Sequence, residues 1–409
     1  MSSEAETAVP ETEGGGPSHT RGRGIVAALA VTQTIGYGVL YYAFSVFLTP
    51  MARDLHAPHA QIAAALTLSI LITALCAPAA GRWLDARGGR GLMSTGSILA
   101  TTAVLAWSQV ETLAQLYAAF AAIGVACAMV LYEAAFAVII AWYGTDEKGR
   151  AGGLLALTIV AGFASAIFIP LTGLLVEVYG WRHALIVLAL LYGMTSIPLH
   201  ALAIRRRAAA ARTPAATADR AEIVRTAVRR RPFWLLVIAF TANGGAVATI
   251  AVLLVTYLIH LGHSPVLAAT LAGLLGVLSV TGRLITTGLQ TRLPAALIAA
   301  AIFALQGVAV LLLPLVGQSV AGAAGCVLAF GLGFGIASIT LPHLLVHRYG
   351  TAAYATLSGR IAVFSVADKA LAPLGALALA QAVGYTPVMA AVAAASVIAA
   401  FALIAYHRI

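Results

Sequence analysis

Long apolar runs separated by short charged segments make up the chain from residue 25 onward. A helix needs about 20 apolar residues to cross the hydrocarbon core of a bilayer, and twelve runs approach or exceed that length. The twelve predicted spans are 25–50, 60–81, 91–109, 113–142, 152–178, 183–204, 233–260, 265–290, 294–315, 319–346, 355–381 and 385–406. The runs are rich in Ala, Leu and Val and too long for barrel strands. We therefore expect an all-α membrane protein with twelve transmembrane helices in two six-helix halves.

Composition supports a membrane protein and changes the meaning of the net charge. Of 409 residues, 61% are apolar and 9% are charged, which excludes a soluble globular protein of this size. A net charge of +10 would favour a nucleic-acid partner in a soluble protein. Here nearly all cations lie in the short segments between apolar runs, so we expect the lipid bilayer as a partner and no nucleic acid.

The distribution of Lys and Arg predicts the orientation. Nineteen of the 24 lie in alternate connections and at the chain ends, whereas the other set of connections holds only Arg53 and Arg182. Because cytoplasmic loops carry the excess of cations, both termini are predicted to be cytoplasmic. The expected location is the cell inner (cytoplasmic) membrane, as a multi-pass protein.

The chain divides into four predicted segments. They are a disordered cytoplasmic tail at 1–24, an N-terminal half at 25–204, a basic cytoplasmic linker at 205–231 and a C-terminal half at 232–409. An internal repeat supports the division into halves. Tyr143-Gly144-Thr145 follows span four and Tyr349-Gly350-Thr351 follows span ten, an offset of 206 residues that is close to the 208 residues between the starts of spans one and seven.

A glycine-rich basic turn connects spans two and three. Gly81 and Gly88 permit a tight turn, Asp85 can accept hydrogen bonds from a helix N-terminus of the other half, and Arg87 and Arg90 stay at the inner surface. The segment resembles the G-x-L-x-D-x-x-G-R signature of the major facilitator superfamily. This resemblance implies a gating motif that latches the cytoplasmic side in the outward-open state. The corresponding turn of the second half, Gly288 to Arg292, lacks the acidic residue.

Two further segments narrow the resemblance. Gly36 to Phe47 and Gly331 to Gly335 resemble the branch that contains monocarboxylate transporters and oxalate/formate antiporters. In those antiporters an arginine of span eight and a lysine of span eleven hold the substrate, which implies substrate binding by Arg283 and Lys369. An alternative for Arg283 is a structural anchor. Ser279 stands where monocarboxylate transporters have an aspartate, so their proton-coupling pair is absent.

Five ionisable residues lie at membrane depth: Glu133, Arg283, Arg360, Asp368 and Lys369. Each charge costs about 2.5 to 3.5 kcal/mol at a helix centre, so such residues are retained where they are paired or hydrated. Guanidinium and ammonium groups suit a carboxylate substrate. Glu133 and Asp368 are the proton-coupling candidates, and neutralisation of a nearby cation is a second interpretation of Asp368.

Polar side chains also line one face of span one. Gln33, Tyr37, Tyr41 and Ser45 recur every four residues and so project from the same side of a helix. Such a face either lines a hydrated path or forms hydrogen bonds with a neighbouring helix. We interpret Tyr37 and Tyr41 as substrate-binding residues.

The absence of phosphate-loop and zinc-protease motifs predicts a protein that is not an enzyme, with no cofactor. His343 and His347, four residues apart, fit a helix end better than a metal site. We therefore expect a secondary transporter that moves a small organic anion, such as a mono- or dicarboxylate, by proton coupling or exchange with a counter-substrate. The alternative is proton-driven efflux of a drug-like compound or secreted metabolite past Tyr37 and Tyr41, with Glu133 or Asp368 as proton carrier.

Overall fold

The computed structural model describes residues 19–204, 214–290 and 292–409. Throughout these ranges the chain is helical and contains no strands. Most of the expected tail, and the first part of the expected linker, lie outside the described residues.

The N-terminal half comprises spans one to six. Span one is His19–Tyr37 and Phe44–Asp54 joined by a π-helix, Gly38–Tyr42; span two is His59–Arg87; span three is Gly89–Ser108; span four is Leu113–Val130 and Tyr132–Tyr143. Spans five and six comprise Glu147–Ala161 and Ala164–Ala203, with a break at Gly180 that separates the two spans. Residues 19–24 therefore extend span one, and Gly22 packs against Trp142 and Tyr143 at the end of span four.

The C-terminal half comprises spans seven to twelve. Spans seven, eight and nine are Arg231–His260, Pro265–Leu289 and Ala295–Val316; span ten is Val320–Gly331 and Ala337–Tyr349; spans eleven and twelve are Tyr354–Val383 and Tyr385–His407. A further helix, Pro214–Arg229, lies within the predicted linker and precedes span seven.

Nine helices of the described ranges are long and apolar enough to cross a membrane. That number counts Glu147–Ala203 once, although its break separates spans five and six. The nine helices thus contain ten of the predicted spans, and the other two are span three and the divided span ten. The helices are therefore consistent with twelve spans.

Several helix starts follow directly from local sequence. Thr112 and Gln115 form a reciprocal capping box at the start of span four, and Asp146 accepts a hydrogen bond from the Gly149 amide at the start of span five. The repeated Tyr-Gly-Thr also has a local cause. Gly144 and Gly350 end spans four and ten with φ of 53° and 72°, a conformation that favours glycine.

One side of the described structure carries the C-terminus and most of the described basic connections, and is called the basic side below. It comprises residues 19–24, 82–90, 143–150, 348–354 and 404–409. A single hydrophobic cluster on this side joins both halves, with Leu84 and Val138 of one half and Tyr354 and Leu357 of the other. Toward the opposite side, the described apolar residues form two clusters, one within each half. The halves are therefore packed together at the basic side.

Candidate functional site

Spans four and ten are interrupted at matching places in the two halves. Span four breaks at Leu131, where ψ is −165°, and span ten loses its helix between Gly331 and Ala337. The positions correspond through the 206-residue repeat. Interrupted helices at equivalent positions are typical of transporter binding sites, because they expose backbone groups at membrane depth.

Glu133 lies in the first turn of the helix that follows the break in span four. A carboxylate at this position is stabilised by the free amide groups of the helix N-terminus. The Ser358 hydroxyl of span eleven donates a hydrogen bond to Glu133 Oε2 at 2.5 Å, which joins the two halves. Glu133 also interacts electrostatically with Lys369. The structure thus brings together a predicted proton-coupling residue and a predicted substrate-binding residue.

Lys369 lies on the same face of span eleven as Ser358, since eleven residues correspond to just over three full turns. Its side chain is exposed, and no hydrogen bond joins its ammonium group to any other described residue. The stem rests on Gly244, where an added Cβ would lie 3.2 Å from the Lys369 Cε. The ammonium group is therefore available to an anionic ligand.

Asp368 has different surroundings although it is adjacent in sequence. Successive helical residues point about 100° apart, and the Asp368 carboxylate lies against Gly245 in a groove between spans seven, eleven and twelve. The glycine pair 244–245 lies within an uninterrupted helix. Those glycines make room for two charged side chains on different faces of span eleven.

Arg283 is 8% exposed and connects three spans. Its Nε donates to the Gly335 carbonyl at 3.1 Å, in the non-helical segment of span ten, and its Nη1 donates to the Thr158 carbonyl at 2.9 Å. Thr158 belongs to the last turn of Glu147–Ala161, so the guanidinium lies at a helix C-terminus, where positive charge is favourable. In this conformation the guanidinium therefore links spans five, eight and ten.

Close packing of spans eight and ten makes this arrangement possible. A Cβ added to Gly282 would lie 1.8 Å from the Leu332 carbonyl oxygen, and one added to Gly335 would lie 2.6 Å from Arg283 Nη2. Two of the five guanidinium N–H groups make hydrogen bonds with described residues. Three donors therefore stay available to a ligand.

Tyrosine rings lie between Glu133 and Arg283. The rings of Tyr37 and Tyr132 have centroids 4.6 Å apart. Tyr42 and Tyr132 both interact electrostatically with Arg283. The π-helix of span one places Tyr42, five residues after Tyr37, on the side that faces Arg283. The regular spacing of four residues, on which the sequence prediction relied, does not include Tyr42. Tyr132 directly precedes Glu133 in the sequence, so the sequence alone could have indicated it as a site residue.

The residues of the predicted polar face of span one have different surroundings. Gln33 is fully buried, and its Nε2 donates to the Val130 carbonyl at the break of span four, at 2.7 Å. Tyr41 is 40% exposed, with its ring perpendicular to that of Tyr42 at 5.3 Å. Gln33 thus forms the helix-to-helix contact, and Tyr41 faces open space.

The turn after span two joins the halves at the basic side. Asp85 is 6% exposed and accepts hydrogen bonds from the amides of Ala355 at 3.1 Å and Thr356 at 2.7 Å, at the start of span eleven. An added Cβ on Gly81 would lie 2.2 Å from the Ala355 carbonyl oxygen, so the two spans touch through this glycine. The carboxylate caps a helix of the other half.

The remaining residues of the turn stay at the surface of the N-terminal half. Arg87 is exposed and stacks on the Trp83 ring at 4.5 Å, and Arg90 is half-buried. Gly88 ends span two with φ of 78°. A further contact between the halves joins His343 of span ten to Glu147 of span five at 3.8 Å. The contacts between the halves named here therefore lie at the basic side or near the helix breaks.

Comparison with known proteins identifies the family. The sequence profile of the Major Facilitator Superfamily matches residues 29–367. The chain belongs to this superfamily. The superfamily match and the helical structure confirm the prediction of an all-α multi-pass membrane protein. Members of this superfamily are membrane transporters and in general not enzymes.

Two curated relatives are similar to parts of the chain. Monocarboxylate transporter 13 of Bos taurus is 25% identical over 273 residues, covering 66% of this chain and 62% of that protein. An uncharacterised 38 kDa protein of Thermoproteus tenax is 28% identical over 213 residues, 52% of each chain. The matches therefore span less than two thirds of these relatives.

Solved structures of the superfamily share the fold. A human organic anion transporter superimposes with a TM-score of 0.70 and 16% identity, covering 95% of this chain and all of that one. The fucose:proton symporter of E. coli gives 0.69 and 14% identity, covering 93% and 98%. At these identities the likeness concerns the fold alone.

Proposed function

We propose that this superfamily member transports a small organic anion, such as a mono- or dicarboxylate, by proton coupling or exchange. The observation that carries the proposal is the group formed by Lys369, Arg283 and Glu133 around the breaks of spans four and ten. It combines an exposed ammonium, a guanidinium with unused donors and one carboxylate. The similarity to a monocarboxylate transporter agrees with this choice.

Glu133 serves as the counter-charge of Lys369 when no substrate is bound. A substrate carboxylate near Lys369 would repel an ionised Glu133, because like charges at membrane depth are poorly screened. Protonation of Glu133 removes that repulsion and also alters its hydrogen bond with Ser358, which joins the halves. Proton binding, substrate binding and separation of the halves are thereby linked at one residue.

The tyrosines complete the site. The rings of Tyr37 and Tyr132 are tilted by 48° against each other and form a wall beside Glu133, and Tyr41 presents an exposed ring and hydroxyl. Tyrosine hydroxyls donate hydrogen bonds to carboxylates, and the rings exclude water from the charged groups. Arg283 holds spans five, eight and ten together through two of its donors, and its unused donors bind the substrate.

We also propose that the basic side is cytoplasmic and that the protein belongs to the cell inner membrane, with both termini in the cytoplasm. The excess of Lys and Arg on this side supports the orientation. With the halves joined at the basic side, the conformation is closed to the cytoplasm. Asp85, with Gly81, Arg87, Gly88 and Arg90, then forms the cytoplasmic gate.

Flux into proteoliposomes tests the substrate class. Purified protein is given labelled monocarboxylates, dicarboxylates and a cationic dye, under a pH gradient and under exchange. We expect carboxylate flux, with at least a tenfold loss of transport efficiency in Lys369→Gln. Lys148→Gln, which removes an exposed ammonium from the first turn of span five at the basic side, is the matched control and should retain the flux.

Dye transport without carboxylate flux would contradict the proposal and favour the efflux alternative. Carboxylate flux that is unchanged in Lys369→Gln would instead remove Lys369 from the site while retaining the substrate class.

A further inference from the structure

A groove on the outer surface of the C-terminal half lies apart from the contacts between the halves. Its volume is about 560 Å³, and its described lining comes from spans seven, eleven and twelve. The walls are almost entirely apolar, and Ile238 and Phe364 at the edge are each 44% exposed. Because no described residue of the N-terminal half lines it, the groove opens toward the lipid and not toward the path between the halves.

Asp368 supplies the one ionisable group among the described residues that line the groove. No described cation forms an ion pair with it, and the neighbouring Lys369 points to a different face of span eleven and interacts with Glu133 instead. The Thr241 hydroxyl, also in the lining, is buried and has no hydrogen-bond partner among the described residues. An apolar groove at membrane depth thus holds a carboxylate that contacts the Gly245 backbone but has no cationic partner among the described residues, together with a hydroxyl that lacks a hydrogen-bond partner there.

We infer that this groove binds a cationic amphiphile, a protonated amine with an alkyl chain, which enters from the bilayer. A charged group at membrane depth is retained where it is paired, and an ammonium is the pairing group that a carboxylate selects. The apolar walls suit an alkyl chain, and the volume lies within the usual range of ligand sites. An anionic amphiphile would be repelled by Asp368, and a neutral one would leave the carboxylate unpaired.

The adjacent hydroxyl adds specificity for an amine. An ammonium carries three donors, of which one can bond to the Asp368 carboxylate and another to the Thr241 oxygen. Both side chains line the same groove, on facing spans. This inference does not depend on the proposed anion site, since Lys369, Glu133 and Arg283 are absent from the described lining.

Photolabelling of the full chain in zwitterionic nanodiscs tests the inference. Three probes share a twelve-carbon chain with the same diazirine and differ only in the head group: amine, alcohol or carboxylate. We expect the amine probe to label spans seven, eleven and twelve, to be displaced by dodecylamine, and to exceed the other two probes at least tenfold. Asp368→Asn should reduce that labelling at least tenfold, whereas Glu177→Gln, which removes an exposed carboxylate elsewhere, should not.

A second variant keeps the carboxylate and fills the groove. Gly375 lines the groove, and an added Cβ would meet no heavy atom within 4 Å, so Gly375→Leu should fold and reduce labelling. Equal labelling by the three probes would overturn the inference. So would undiminished amine labelling in Asp368→Asn or in a monodisperse Gly375→Leu protein.

Discussion

Replacement of Asp85 by asparagine tests whether the contact between span two and span eleven holds the basic side closed. The change preserves the shape of the side chain and removes its charge. It also replaces one acceptor oxygen with an amide nitrogen, which cannot accept a hydrogen bond from the backbone amides of Ala355 or Thr356. One of these two amides then loses its partner in a buried environment.

The magnitude follows from the two contacts. A hydrogen bond to a charged group contributes about 1.5 to 3 kcal/mol, and a carboxylate at a helix N-terminus contributes about 0.3 to 1 kcal/mol more. The closed conformation should therefore lose about 2 to 4 kcal/mol relative to the open one. Since about 1.4 kcal/mol changes an equilibrium constant tenfold, the equilibrium between the closed and open conformations should shift by about 30- to 700-fold. A closed state populated at about 99% would fall below about 80%.

Distances between spin labels measure the shift. Lys148 and His347 are exposed residues of spans five and ten at the basic side, one in each half. Both can be replaced by labelled cysteines after removal of Cys76, Cys127 and Cys326. In detergent, the parent protein should give mainly the short distance, and Asp85→Asn should add a longer one.

Asp146→Asn is the matched control. Asp146 also caps a helix with its carboxylate, at 2.9 Å from the Gly149 amide, but both groups belong to the N-terminal half. That variant should lose stability without a change in the distance distribution. An unchanged distribution in Asp85→Asn, or an equal change in both variants, would refute the reasoning.

Three other substitutions have defined outcomes. Gly81→Ala places a Cβ 2.2 Å from the Ala355 carbonyl oxygen, so the same label pair should report opening, whereas Gly91→Ala, with no heavy atom within 4 Å, should resemble the parent. Arg283→Lys keeps the charge, but an ammonium cannot span the Thr158 and Gly335 carbonyl groups, so we expect substrate exchange across the membrane to be at least tenfold slower. Substrate exchange at the parental rate would contradict a role of Arg283 as an anchor. Glu133→Gln should abolish stimulation of flux by a pH gradient and retain exchange, and persistent stimulation would exclude Glu133 as the proton carrier.

Much of the fold was predictable because membrane helices are specified locally. Apolar length, the charges between the runs and the capping residues locate the spans without knowledge of their neighbours. The Tyr-Gly-Thr repeat could be recognised for the same reason, since Gly144 and Gly350 each end a helix through their own backbone conformation. The motif after span two is also local: a turn with one acidic residue already specifies a helix N-terminus as the partner of Asp85.

The partners of the intramembrane charges were not predictable in this way. Asp368 and Lys369 are adjacent, yet one lies in a groove and the other faces Glu133, and the direction of each depends on how span seven packs through Gly244 and Gly245. Helical periodicity gives the angle between two side chains, but it does not identify the element that each one meets. That choice depends on the packing of separate spans.

The irregular parts of the helices were the second feature that the sequence pattern did not predict. A regular repeat of four residues places Tyr37 and Tyr41 together, whereas the π-helix brings Tyr42 toward Arg283. The bonds of Arg283 to the Thr158 and Gly335 carbonyls likewise require a helix end and a helix break in two other spans. The sequence by itself determined which segments cross the membrane and which residues carry charge there. Only the tertiary structure decided which of those charges meet, because a helix that departs from regular geometry does so in response to its neighbours.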